Sequence, residues 1–242
     1  MRLSGLWAIF AVSTVLFAAG CGGGGGGGNS GNAAVNGVWS GSSTQTRAVG
    51  STSPVQVEFF QNGNAITGTA VATGIAGTSI GNLTGTISGS QMTASVTSGV
   101  GNTATLTGVV SGTSITGTYT TTTASGSTGG TFTLTKSAGV TTPSIAGSYS
   151  GTDNPTGGAS QFLTFTFTQD HDTLTYNGST GTTTLAVTFS GTGAIIGNKV
   201  TLITPGLNGT TYFTGTFSSG TISGTTLDSQ GNTGAFTVSP PQ

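Results

Sequence analysis

Charge is what this sequence has least of. Asp, Glu, Lys and Arg together make up 4% of its 242 residues, against roughly 25% in an ordinary soluble domain. Beyond Arg2, the cations are Arg47, Lys136 and Lys199. Three scattered cations build no basic face, so nucleic acid, whose binding leans on phosphate neutralisation, is not an expected partner. Attraction to anionic headgroups is equally weak. The single cysteine, Cys21, excludes a disulfide within the chain. The single histidine, His171, leaves little material for acid–base or nucleophilic catalysis. No segment after residue 20 carries a helical period.

Glycine, by contrast, supplies 45 residues, with Thr and Ser dominating much of the rest. Disorder normally combines high charge with few β-branched or aromatic residues. Here Thr, Val, Ile and Phe abound, and these are strand formers. The composition therefore predicts an all-β protein whose outer faces are wetted by hydroxyl and amide groups.

The first residues read as an address. A positive start at Arg2 precedes an apolar run from Leu6 to Ala19, broken only by Ser13 and Thr14. That run is shorter than the about 20 apolar residues a spanning helix needs, and suits a signal-peptide core. It ends in Phe17-Ala18-Ala19-Gly20-Cys21. This stretch resembles the lipobox of bacterial lipoproteins, with Ala18 standing where Leu is commoner. The resemblance implies cleavage before Cys21, a diacylglycerol thioether on its sulfur and an acyl chain such as palmitate on its amino group. Gly22 after it is compatible with sorting to an outer membrane. Stable anchoring takes more than one acyl chain, at about 0.8 kcal/mol per buried CH₂. Seven glycines follow, Gly22 to Gly28, then Asn-Ser-Gly-Asn. As a random coil, residues 22–34 span on the order of 20 Å. Residues 1–20 are thus expected to be a signal peptide and 21–34 a lipidated cysteine with a flexible tether, the membrane being the partner of that anchor.

From residue 35 the chain reads as a tandem repeat. Gly37-Val38-Trp39-Ser40-Gly41 aligns with Gly147-Ser148-Tyr149-Ser150-Gly151, "VQVEFFQNGNAITGT" with "FLTFTFTQDHDTLTYNG", and "ATLTGVVSGTSITGTYT" with "TYFTGTFSSGTISGTTL". The copies close on "STGGTFTLTK" and "GNTGAFTVSP". A repeat of roughly 100 residues is too long for a solenoid unit, so each copy is expected to be a domain, 35–136 and 144–239, joined by a linker at 137–143. Period-two alternation marks the strands: Val55, Val57 and Phe59 face one way, with Gln56 and Glu58 on the wet side. Leu163-Phe165-Phe167, Leu185-Val187-Phe189 and Phe213-Phe217 repeat the arrangement. About eight short strands per copy predict an antiparallel meander, closed as an up-and-down β-barrel. A sandwich, or one larger barrel made by both copies, satisfies the same pattern. Gly37-Val38-Trp39 on a first strand resembles the Gly-x-Trp of lipocalins and avidins, the calycin barrels. That resemblance implies a tryptophan packed at a barrel end.

Chemistry is sparse. Asp170-His171-Asp172 has the residue types of a metal site, but it occupies the place of Gln61-Asn62-Gly63-Asn64 in the first copy, a hairpin turn where Asp and Asn are favoured. No metal, cofactor or catalytic residue is therefore expected. Trp39, Phe59, Phe60, Tyr119, Tyr149, Phe165, Phe167, Tyr212 and Phe213 are candidates to line a ligand cavity or close a barrel end, against the plainer expectation that most fill two cores. The sequence accordingly points to a non-enzymatic, lipid-anchored envelope protein in a structural or interaction role, its partner an envelope protein or glycan. The rival is a lipocalin-like carrier of a small apolar ligand.

Overall fold

The structure is a computed structural model that describes residues 31–46, 51–74, 77–99, 101–123, 126–182, 184–206 and 209–241. Cys21 and most of the glycine tether lie outside the described residues. Among these residues there is no helix, and sixteen strands form two closed eight-stranded barrels. The first barrel contains β1 (Gly37–Gln45), β2 (Thr52–Asn62), β3 (Ala65–Gly74), β4 (Gly77–Ser88), β5 (Gln91–Ser98), β6 (Thr103–Ser111), β7 (Ser114–Thr123) and β8 (Gly126–Lys136). The second contains β9 (Gly147–Pro155), β10 (Gln161–Asp170), β11 (Thr173–Gly181), β12 (Ala186–Ile196), β13 (Lys199–Gly206), β14 (Gly209–Ser218), β15 (Thr221–Asp228) and β16 (Thr233–Ser239). Every pairing is antiparallel between neighbours in sequence, apart from the two closures of first strand on last, β1 on β8 and β9 on β16. The meander is thus complete in each copy, and neither a sandwich nor one shared barrel forms.

Closure in so small a barrel bends the strands sharply, and glycine marks the place. At Gly41 on β1 a Cβ would sit 1.9 Å from the Thr133 carbonyl oxygen of β8. At Gly151 on β9 it would sit 1.9 Å from the Thr237 carbonyl oxygen of β16. The two glycines are the aligned fifth residues of the repeat openings, so the constraint is the same in both copies: a side chain there would occupy the space of the closing strand's backbone.

The inward positions fill both interiors. Trp39, Phe59, Ile66, Leu83, Ile87, Met92, Ile115 and Leu134 pack the first barrel. The second is built on aromatic rings, with Phe165 at the centre of the network. Both barrels share a plug that the period-two pattern does not reveal, since it precedes the first strand. Val35 and Ile145 lie buried ahead of their barrels. Their amides donate to the side-chain carbonyls of Gln61 (2.9 Å) and Gln169 (2.7 Å), respectively. The Trp39 indole N–H completes the first plug by donating to the Val35 carbonyl at 2.7 Å.

Two sequence expectations change. The alternation assigns Leu185 and Val187 to an inward face with Phe189, yet they are 70% and 57% exposed. The reason is register: β12 pairs with β13 only from Thr192 onward, while β11 runs beside it back to Ala186. The β11–β12 hairpin therefore extends past the barrel, where its inner face meets no opposite wall. Glu58 is the second case. It points outward from β2, as the alternation requires, but it is buried, because the second barrel covers that face.

Candidate functional site

The aromatic candidates separate into two groups. Trp39 and Phe59 meet edge to face at 6.3 Å inside the first barrel, and Tyr119 packs half-buried against the same core. Tyr149, Phe165, Phe167 and Phe213 are all core side chains of the second barrel. Phe165 alone touches Phe167 at 5.2 Å, Phe213 at 5.3 Å, Tyr176 at 5.5 Å and Phe189 at 5.6 Å. Phe60 and Tyr212 differ. Phe60 follows inward Phe59 and so faces out; both rings lie between the barrels.

The barrels meet along a narrow seam. Its apolar part is Val38, Val71 and Ile80 from the first barrel and Ala194 and Ile196 from the second. Each is an apolar side chain on an outward-facing position. The polar part is built on one carboxyl from each barrel. Glu58 of β2 is 7% exposed and accepts a hydrogen bond from the hydroxyl of Thr142 in the linker. The Thr142 oxygen in turn accepts from the Gly197 amide at 2.8 Å, at the tip of the β12–β13 hairpin. Asp172, in the β10–β11 turn, is 3% exposed. It bonds to the hydroxyl of buried Thr69 on β3, while its Oδ2 has no partner. Burial first, and the nearby Glu58 charge after it, push the Asp172 carboxyl up to about 6, with the Thr69 hydroxyl and His171 acting in the other direction.

The Asp170-His171-Asp172 turn is thus a hairpin turn whose side chains diverge. Asp170 and His171 are exposed and pair with each other at 2.8 Å, whereas Asp172 turns into the seam. Among the described residues no group of three or more His, Cys, Asp or Glu is placed to hold a metal ion. His171 carries a further oddity: its φ of +56° is left-handed, at a turn position where Gly63, Gly89, Gly112 and Gly197 stand in four other two-residue hairpins. A side chain there costs about 1 kcal/mol or more. What it gains is a cross-barrel contact, its ring meeting Phe60 edge-on at 5.3 Å. His171→Gly is therefore expected to stabilise the second barrel by about 1 kcal/mol in urea unfolding. A loss of stability would mean that the Phe60 contact outweighs the backbone cost.

Beside the seam runs a cleft of about 1060 Å³. Phe60 and His171 bracket one end of it. Near the other end Tyr212 of β14 lies against Gly77 of β4, where a Cβ would come within 2.8 Å of the ring. Phe60 pairs with Thr67 and Gly77 with Gly74, at opposite ends of the first barrel's strands. At about 3.3 Å per residue the cleft is roughly 20 Å long. Between those rings the walls present Thr and Ser hydroxyls, the carboxamides of Asn82 and Asn102 and the apolar side chains of Ile80, Ile203 and Pro205, with no Lys or Arg among the described residues. Such a surface offers stacking and neutral hydrogen bonding. The His171 ring nitrogen Nδ1 is engaged by the Asp170 carboxylate at 2.8 Å.

No protein-family model and no curated protein matches the chain. Among solved structures, a redesigned β-barrel is 22% identical, covering 42% of this chain and 90% of its own, with a TM-score of 0.37. The isotype 1 transferrin binding protein B of serogroup B Neisseria meningitidis is 11% identical, over 78% of this chain and 59% of that one, with a TM-score of 0.32. Kievitone hydratase from Nectria haematococca is 9% identical, over 86% and 90%, with a TM-score of 0.25. At these values the likenesses say nothing of activity or partner.

Proposed function

We propose that this is a lipid-anchored, non-enzymatic protein of the bacterial envelope that holds a neutral, hydroxyl-rich chain, a glycan, in the cleft between its two barrels. The observation that carries the reading is the cleft itself: roughly 20 Å long at about 3.3 Å per residue, lined by Thr and Ser hydroxyls and the Asn82 and Asn102 carboxamides among the apolar side chains of Ile80, Ile203 and Pro205, with Phe60 and Tyr212 as stacking surfaces and no Lys or Arg among the described lining residues. Aromatic faces with convergent polar groups suit a sugar chain. An acidic polymer would meet the exposed carboxylate of Asp170 with no compensating Lys or Arg among the described lining residues. The rival, a small apolar ligand inside a barrel, finds the space taken: Phe165, Trp39 and their neighbours occupy both interiors. Cys21, as the lipid-bearing residue, holds the pair of barrels at the membrane.

The test uses Cys21→Ser protein on an array of neutral and acidic oligosaccharides. Neutral chains should be retained and acidic ones not, with at least a tenfold loss in the Tyr212→Ala variant. Retention of acidic chains alone, or binding indifferent to Tyr212→Ala, would rule the cleft out. The anchor is checked separately in a bacterial host. Palmitate labelling and membrane retention should both vanish with Cys21→Ser, and their persistence would sink that part of the reading.

A further inference from the structure

We propose that Asp172 of the second barrel, buried in the seam beside Glu58 of the first, is a proton-operated clamp that tightens the barrels on each other in acid and loosens them toward neutral pH. The clamp stands on the seam alone. Its consequence, control of access to the cleft, rests on the binding role proposed above.

Both groups are more than nine-tenths buried, on opposite sides of one interface. An ion pair between the barrels would be ordinary; two acids facing each other are not. Buried charge without a partner is costly, and no Lys or Arg among the described residues pairs with either carboxyl. Among the described residues, Lys136 sits over the Trp39 ring at 5.6 Å and Lys199 donates to Thr216 at 2.9 Å. The groups that bear on the Asp172 carboxyl are Thr69 from β3, the backbone amide of Asp172 itself, Glu58 from β2, and His171 on its own turn, the last already paired with exposed Asp170. From β12 comes only the Ile195 amide, which donates to the Asp172 backbone carbonyl at 2.8 Å. Asp172 Oδ2 is left with nothing. A neutral carboxyl tolerates that position far better than a carboxylate does.

The direction follows from linkage. In the docked protein Asp172 keeps its proton up to about pH 6, whereas a solvated aspartate gives it up near pH 4. Docking therefore binds a proton. It is tightest below roughly pH 4, weakens as the pH rises to about 6 and is level beyond that, a total change of up to about 100-fold.

The readout is the Gly197 amide, whose hydrogen bond to Thr142 belongs to the seam. Hydrogen exchange on the Cys21→Ser protein, corrected for intrinsic rates, should show Gly197 protection falling by roughly 40-fold from pH 4 to pH 6.5. The fall should be absent in Asp172→Asn. In parallel, carbon NMR of labelled aspartate should give Asp172 a midpoint near 6, shifted down by Glu58→Gln. Protection that is flat in the parent protein, that falls equally in Asp172→Asn, or a midpoint near 4, would overturn the clamp. No sugar enters the measurement, so a failed glycan array leaves its outcome intact, and the reverse also holds.

Discussion

Gly151→Val is expected to open the second barrel while leaving the first closed. By propensity alone the change should help, since valine is among the best strand residues and glycine among the worst. Geometry predicts the opposite. A Cβ at this position lies 1.9 Å from the Thr237 carbonyl oxygen, and the neighbouring Val238 Cα is 2.8 Å away. The obstacle is backbone, which cannot rotate aside as a side chain can. Ordinary overpacking costs roughly 1–3 kcal/mol; here the cost should reach or exceed the top of that range, because the clash falls on the pairing of β9 with β16 that closes the ring. Hydrogen exchange resolved by segment is the measurement. Amides of β9 and β16 should lose protection, with β1 and β8 as the internal reference. Gly41→Val should produce the mirror result in the first barrel, where Thr133 stands in the same place. Protection unchanged in both variants would show that the strands relax freely at closure.

Phe165→Ala should be the most damaging deletion in either core. The ring is fully buried and touches four other rings, two of them on β11 and β14. Removing a buried phenylalanine costs about 3–5 kcal/mol, a large part of the roughly 5–15 kcal/mol that holds a typical domain together. For a barrel of this size that corresponds to a fall in melting temperature of roughly 15–30 °C. The comparison is Phe189→Ala. Phe189 also joins the ring network but is only half-buried, on the hairpin that outruns the barrel, so its loss should cost clearly less. Equal losses would mean that the network is not centred on Phe165.

The strands, their order and the closed meander are legible in the sequence because each rests on short-range signals. The alternation along β10 is the clearest instance: Leu163, Phe165 and Phe167 all point inward, with Thr164, Thr166 and Thr168 between them. The seam is not legible in the same way. Glu58 and Thr69 obey the alternation and look like solvent-facing residues; what buries them is a second barrel more than a hundred residues away in sequence. A partial signal is nonetheless present, in Val38, Val71, Ile80 and Ile196, apolar residues on outward positions, although Val109 and Leu227 stand on outward positions too and remain exposed. Leu185 and Val187 depart from the pattern for a different reason. Alternation gives the side a residue faces, and not how far the opposite wall extends. Asp170-His171-Asp172 shows itself as a turn by its residue types, while the burial of Asp172 depends on the partner barrel and leaves no mark in the local sequence.

Closure of each first strand on its own eighth strand also sets an order of events. Gly41 pairs with Leu134 and Gly151 with Val238, so neither ring can shut until its whole copy is present, and these are the slowest contacts to find. Yet no strand of one ring belongs to the other. A chain delivered from its N-terminus can finish the first ring while the second is still unfolded, and the seam that joins Glu58 to Asp172 is then the last surface to form.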